Sequence, residues 1–223
     1  MAARRGPRQL GGAVALITGG GSGIGLALGA AMARHGCGVV LADIDGAAAR
    51  RAADHLRASG LEASSVTLDV ADREAFERVV TDVVRSRGRI DYLVNCAGIT
   101  LGGPTHELSG PHWDAVLDVN LGGVVNGLLA AYPGMVERRS GHIVNVASAA
   151  GLAAPPFVVP YAASKHAVVG LSLGLRPEAG MHGVRISVVC PGSVETPILD
   201  QLPAASLSAT ATPPVTARRY LST

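Results

Sequence analysis

A chain of 223 residues is long enough for one domain with a sizeable buried core and too short for two independent ones. Its apolar content of 48% comes with 3% aromatics and 29 glycines, so the core has to be packed from Ala, Val, Leu and Ile. A formal net charge of +2, with no basic run longer than a pair, gives no electrostatic footprint of a nucleic-acid or membrane partner.

Residues 1–12 carry Arg4, Arg5 and Arg8, but the apolar run that follows, Ala13 to Ile17, is too short for a signal h-region or a membrane span. Cys37, Cys96 and Cys190 are an odd set without C-x-x-C spacing, which predicts reduced thiols and a cytoplasmic protein. The seven His residues are scattered without ligand spacing, so no metal is predicted.

Short runs rich in Val, Ile and Leu then recur as Val14 to Thr18, Gly38 to Asp43, Ser65 to Asp69, Asp91 to Asn95, His142 to Ser148 and Arg185 to Cys190. Each reads as a strand buried on both faces. Ala-rich helical stretches separate them: Ile24 to His35, Gly46 to Ser59, Arg73 to Arg87, Pro111 to Arg139, and Tyr161 to about Ala179. Alternating strands and helices stack as βαβ units, and right-handed crossovers make a Rossmann-type, doubly wound open parallel sheet the first choice. Six strands are expected, in one catalytic domain over residues 1–200. From Pro203 the residues are mostly Ala, Ser, Thr and Pro, which predicts an irregular or disordered tail over 201–223 without a seventh strand.

The first strand runs into Thr18-Gly19-Gly20-Gly21-Ser22-Gly23-Ile24-Gly25, which opens the first helix. Glycines there let the chain turn tightly and bring N–H groups to a pyrophosphate, at the positive end of a helix. The loop lacks the Gly-Lys-Ser/Thr ending of a nucleoside-triphosphate site. Asp43 closes the second strand, where a carboxylate accepts hydrogen bonds from an adenosine ribose and repels a 2′-phosphate; this favours NAD over NADP. The bland reading, a helix cap, is open to Asp45 as well. Asp69 and Val70 are placed to touch an adenine ring.

Of 19 basic residues a single one is lysine, Lys165. It stands four residues after Tyr161, which puts both side chains on one helix face. A compact ammonium can bond a ribose hydroxyl and favour ionisation of a phenol that ordinarily titrates near ~10. Ser148, at the carboxyl edge of the sheet, can hydrogen-bond a substrate oxygen, although it also suits a helix cap. Asn120, amid apolar neighbours, fits a structural hydrogen bond and a proton relay through water equally.

Together these residues resemble the short-chain dehydrogenase/reductase family over about residues 11–200. Thr18 to Gly25 is similar to its T-G-x-x-x-G-x-G loop, and Asn95-Cys96-Ala97-Gly98 to its N-N-A-G segment with Cys for the second Asn. Asn120, Ser148, Tyr161 and Lys165 match its catalytic tetrad, and Pro191-Gly192, with Val194 and Thr196 following, resembles the P-G-x-x-x-T stretch at the nicotinamide. The resemblance implies Tyr161 as general acid/base, Lys165 on the nicotinamide ribose, Ser148 orienting substrate and Asn120 holding a relay water. It also implies homodimers or homotetramers built through the two long helices.

Leu152 to Val159 is wholly apolar and predicts one wall of the site, hence a hydrophobic secondary alcohol or ketone as substrate. Two features depart from the family: the chain lacks its seventh strand, and Pro177 falls in the last turns of the Tyr161 helix, where an interior proline costs roughly 3 kcal/mol. A kink or an early end near Arg176 is expected. These departures motivate the alternative of a catalytically idle NAD-binding or scaffold protein. A methyltransferase, which shares the glycine loop and the acid after strand two, gives no reason for the Tyr161 and Lys165 pair.

Overall fold

The computed structural model describes residues 10–194 and residue 198; the tail at 201–223 and Thr196 lie outside the described residues. Six parallel strands form one sheet in the order β3-β2-β1-β4-β5-β6: β1 Val14–Thr18, β2 Gly38–Asp43, β3 Ala63–Thr67, β4 Tyr92–Asn95, β5 Gly141–Val146 and β6 Val184–Val189. The helices are α1 Gly23–Arg34, α2 Gly46–Ala58, α3 Arg73–Arg87, α4 Gly110–Leu117, α5 Gly123–Glu137 and α6 Val159–Met181. This is the doubly wound architecture that the alternation of elements predicts. β1 stands between β2 and β4, so the strand order reverses there and opens a crevice at the carboxyl ends.

Each layer follows from its residues. β1 is buried along its whole length, so its side chains are apolar except for Thr18, whose hydroxyl is hydrogen-bonded. One core packs Leu16, Leu93 and Ile143 with Phe76, Val80 and Met135 of α3 and α5. The opposite core packs Ala15, Ile17, Val39 and Leu41 with Met32 and Ala53 of α1 and α2. Asp45 and Asp72 each accept a hydrogen bond from a first-turn amide, Ala48 N and Ala75 N, and so fix where α2 and α3 begin.

Several boundaries differ from the sequence-based expectation, most by a residue or two. β3 starts at Ala63, opposite Val39, and ends at Thr67, because Asp69 turns the chain by accepting from the amide of Ala71. β5 stops at Val146, so Ser148 lies beyond the strand as the cap of a short 3-10 turn, Ala149–Gly151. The stretch predicted as one helix over Pro111 to Arg139 is α4 and α5 joined by a π-helical turn, Asp118–Gly122. Taken as Gly110–Glu137 it is apolar and long enough to cross a bilayer, but half of its most apolar window is buried within the fold.

Pro177 does not end its helix, since α6 runs on to Met181. A proline removes the donor for the carbonyl four residues back, here Leu173, whose residue is 51% exposed. Pro133 inside α5 has the same relation to Leu129, at 52%. Both helices thus spend the missing bond on their outer faces, where water can take the carbonyl.

Candidate active site

A cleft of about 450 Å³ opens at the carboxyl ends of the strands. Of the glycine loop, Gly19, Ser22, Gly23, Ile24 and Gly25 line it. Gly19 adopts φ +67°, and a β-carbon on Gly25 would fall 2.2 Å from the carbonyl oxygen of Gly19, so the turn and the helix start close only with glycine at both places. The first turn of α1 carries no acidic residue and its cap, Ser22, makes no side-chain hydrogen bond, leaving the helix N-terminus available to an anion.

Asp43 lines the cleft and organises the loop beside it: its carboxylate accepts from Gly21 N at 2.9 Å and from Asp45 N at 3.0 Å. Asp45 rather than Asp43 caps α2. Val70, Ala97, Gly98, Pro191, Gly192 and Val194 also line the cleft. Gly21, Asp69, Asn95 and Asn120 do not. Asn95 is 3% exposed and donates to Asn145 Oδ1 at 2.9 Å, tying β4 to β5 beneath the site.

Asn120 is fully buried in the π turn and acts like a short piece of strand. Its Oδ1 accepts from Ile99 N at 2.8 Å, while its Nδ2 donates to Ile99 O at 2.9 Å and to Ser164 Oγ at 3.0 Å. Ser164 in turn donates to Tyr161 O at 2.7 Å. One asparagine therefore fixes the loop after β4 and the first turns of α6 together. Of its two sequence readings the structural one is visible in these bonds.

Tyr161, Lys165 and Ser148 converge on the cleft. Lys165 Nζ lies 5.6 Å from the centroid of the Tyr161 ring and donates to Val146 O at 3.0 Å. It is 4% exposed, and burial lowers its pKa to about 8, opposed by the Cys96 and Cys190 thiols nearby. Burial also raises the Tyr161 phenol above its ordinary value, with a hydrogen bond to Ser148 pulling the other way. This corrects the expectation that the phenol is lowered: loss of solvent sets the direction, and the opposing pull comes from Ser148. Ser148 keeps its capping role too, accepting from Ala150 N at 3.1 Å.

Several participants escape sequence reading. Thr18 Oγ1, at the end of β1, accepts from Cys96 N and Ala97 N at 3.0 and 3.1 Å, and so carries the β1–β4 junction one step past the ladder. Ile44, Leu68, Ile99 and Thr100 line the cleft as well, their only signal being position at or after the end of a strand. Pro155 and Val158 also line it and belong to the apolar stretch Leu152 to Val159 expected as one wall. Cys96 is partly buried at the cleft and loss of solvent pushes its thiol up to about 11, the behaviour of a packing residue rather than a nucleophile. Among the described residues no group of three or more His, Cys, Asp or Glu is placed to hold a metal ion.

Known proteins share this arrangement. A family model described as short chain dehydrogenase matches residues 13–206. A 3-oxoacyl-(acyl-carrier-protein) reductase of Thermotoga maritima is 40% identical over 199 residues, covering 87% of this chain and 79% of its own length. The crystal structure of a short chain dehydrogenase/reductase from Burkholderia phymatum in complex with NAD superimposes with a TM-score of 0.86 at 36% identity, covering 96% of this chain and 80% of that one. That of a Beutenbergia cavernae protein described as an NAD(P) dependent gluconate 5-dehydrogenase, with NADP bound at low occupancy, gives 0.81 at 38% identity, covering 86% and 76%.

Proposed function

We propose, for a chain that belongs to the short chain dehydrogenase family, an oxidoreductase that moves a hydride between NAD(H) and an apolar secondary alcohol or ketone, with Tyr161 as the general acid/base. The observation that carries the reading is the convergence of Tyr161, Ser148 and the single lysine on one cleft floored by the glycine turn. The residues present fit a dinucleotide: the turn admits no side chain at Gly25, and the α1 N-terminus is free for a pyrophosphate. Bound NAD(H) supplies the carbon that gives or takes the hydride.

The chain supplies the rest. In the reductive direction Tyr161 hands its phenolic proton to the carbonyl oxygen as negative charge grows there, and takes it back in oxidation. Ser148 donates a hydrogen bond to the same oxygen and holds it in line with the phenol. Lys165, carried on the same face of α6, binds the ribose next to the nicotinamide. Gly19, Ser22, Gly23, Ile24 and Gly25 cradle the phosphates. Val70 flanks the adenine, while Ala97, Gly98, Pro191, Gly192 and Val194 flank the nicotinamide half. Asn120 keeps Tyr161 in place through Ser164 and Ile99, and its turn is where a relay water would be held.

Asp43 favours NAD, because the only other charged side chain among the described lining residues is Lys165, which leaves no cation for a 2′-phosphate. The apolar surroundings of Pro155 and Val158 favour a hydrophobic substrate. Half-exposed leucines at 129 and 173 suit homodimers or homotetramers formed through α5 and α6. Three unpaired thiols suit the reducing cytoplasm. An idle binding protein loses its main support, since α6 passes through Pro177 unbroken.

Titration of the purified protein with NAD and NADP in parallel, followed by incubation with secondary alcohols, tests the reading. Tighter binding of NAD and growth of NADH absorbance are expected. Absence of turnover across alcohols and ketones of many sizes, in a protein that binds NAD, would refute it.

A further inference from the structure

Phe157 has a backbone φ of +64°, a left-handed conformation that bulky residues rarely adopt. The strain is held from outside: Gly103 N donates to Phe157 O at 2.7 Å, and a β-carbon on Gly102 would lie 2.7 Å from that same oxygen. The loop after β4 and the segment before α6 are thereby interlocked, and both contribute to the cleft, through Ile99 and Thr100 on one side and Pro155 and Val158 on the other.

Packing within the protein does not repay the strain. Phe157 is 54% exposed, with Leu152 at 66% on the same segment and Val194 at 41% on the segment that follows β6 across the cleft. Phe157 and Leu152 do not line the cleft themselves but stand on the segment that supplies Pro155 and Val158 to it, while Val194 lines it directly; exposed apolar side chains bordering a cleft are a binding feature, and strained backbone concentrates where function demands it. On the substrate side of the cleft the described lining carries no charged side chain other than Lys165, which the proposed mechanism uses for the ribose.

We infer that Phe157 is the specificity-determining residue for the end of the substrate remote from the reacting carbon, and that this end is an uncharged alkyl or acyl chain leaving the cleft over Phe157, Leu152 and Val194. The inference rests on the oxidoreductase reading and narrows its substrate class. A chain of several carbons gains contacts there that a two-carbon substituent does not reach.

The test uses the full chain and a series of linear 2-alkanols of four to ten carbons with NAD. For the wild type kcat/KM rises with chain length. In Phe157→Ala the ratio of kcat/KM for the longest alcohol to that for the shortest falls about tenfold. Phe157→Gly shows the same loss of ratio while melting no lower than Phe157→Ala, because glycine occupies φ +64° without strain. Equal ratios in all three proteins overturn the inference and leave the oxidoreductase reading intact. Absence of turnover with every alkanol and the matching ketones, in a wild type that binds NAD, sinks that reading and the inference together.

Discussion

Replacing Lys165 by methionine should abolish turnover and, at neutral pH, make the protein more stable. The ammonium is 4% exposed and its pKa falls from the ordinary 10.5 to about 8 because burial disfavours the charged form. At about 1.4 kcal/mol per pH unit, keeping the side chain protonated inside the fold costs about 3 kcal/mol. Methionine has nearly the same shape and no charge, so it removes that cost and loses one hydrogen bond, from Nζ to Val146 O, worth about 1 kcal/mol. The net gain is about 2 kcal/mol, or about 4–8 °C in melting temperature for a domain of this size.

The pH dependence carries the sign. Below pH 8 the lysine is protonated in both states and the penalty is complete. Between pH 8 and 10.5 the unfolded chain holds a proton that the folded one has released, so wild-type stability rises with pH and the penalty fades. Methionine does not titrate, so its advantage should be largest at pH 7, shrink by pH 9.5, and reverse once only the lost hydrogen bond remains. Urea unfolding of both proteins at the two pH values measures this, since other titrating groups cancel in the difference. A variant less stable than wild type at pH 7, or an advantage that does not move with pH, would refute the reasoning.

Tyr161→Phe removes the proton carrier and its hydrogen bond to Ser148 but keeps the ring, so kcat should fall by about 10²–10⁴-fold while the dissociation constant for NAD, read by fluorescence titration, stays within about twofold. Gly25→Ala forces its β-carbon to 2.2 Å from Gly19 O, and NAD affinity should fall by at least about tenfold even where calorimetry shows a cooperative melt; unchanged affinity would contradict the assigned cradle. Asn120→Ala strands the buried amide and carbonyl of Ile99 and frees Ser164, so chemical denaturation should show a loss of about 2–4 kcal/mol, with kcat falling as the first turn of α6 loosens.

The alternation of strands and helices, the glycine turn and the Tyr161–Lys165 face were readable because each follows from local periodicity or from a spacing fixed by helix geometry. The π turn was not, since Asp118 to Gly122 has no composition that distinguishes one extra residue per turn from an ordinary helix. Pro177 misled for a related reason: the sequence shows the proline but not that the carbonyl it deprives belongs to an outward-facing leucine. Thr18 and Ser164 are short polar residues whose partners lie 76 to 79 and 44 positions away, distances at which no local pattern exists. The direction of the Tyr161 shift depends on how much water the fold excludes, a property of the assembled cleft alone.

Leu129 and Leu173 place two acceptors without intrahelical i+4 donors beside two greasy side chains, one pair on each of the helices through which subunits are proposed to meet. A fully dry seam would strand those oxygens at about 1–3 kcal/mol apiece. An adjoining subunit would therefore have to bring hydroxyl or amide donors to the two spots, or leave trapped solvent there, and the contact would be a damp, registered one rather than a smooth apolar weld.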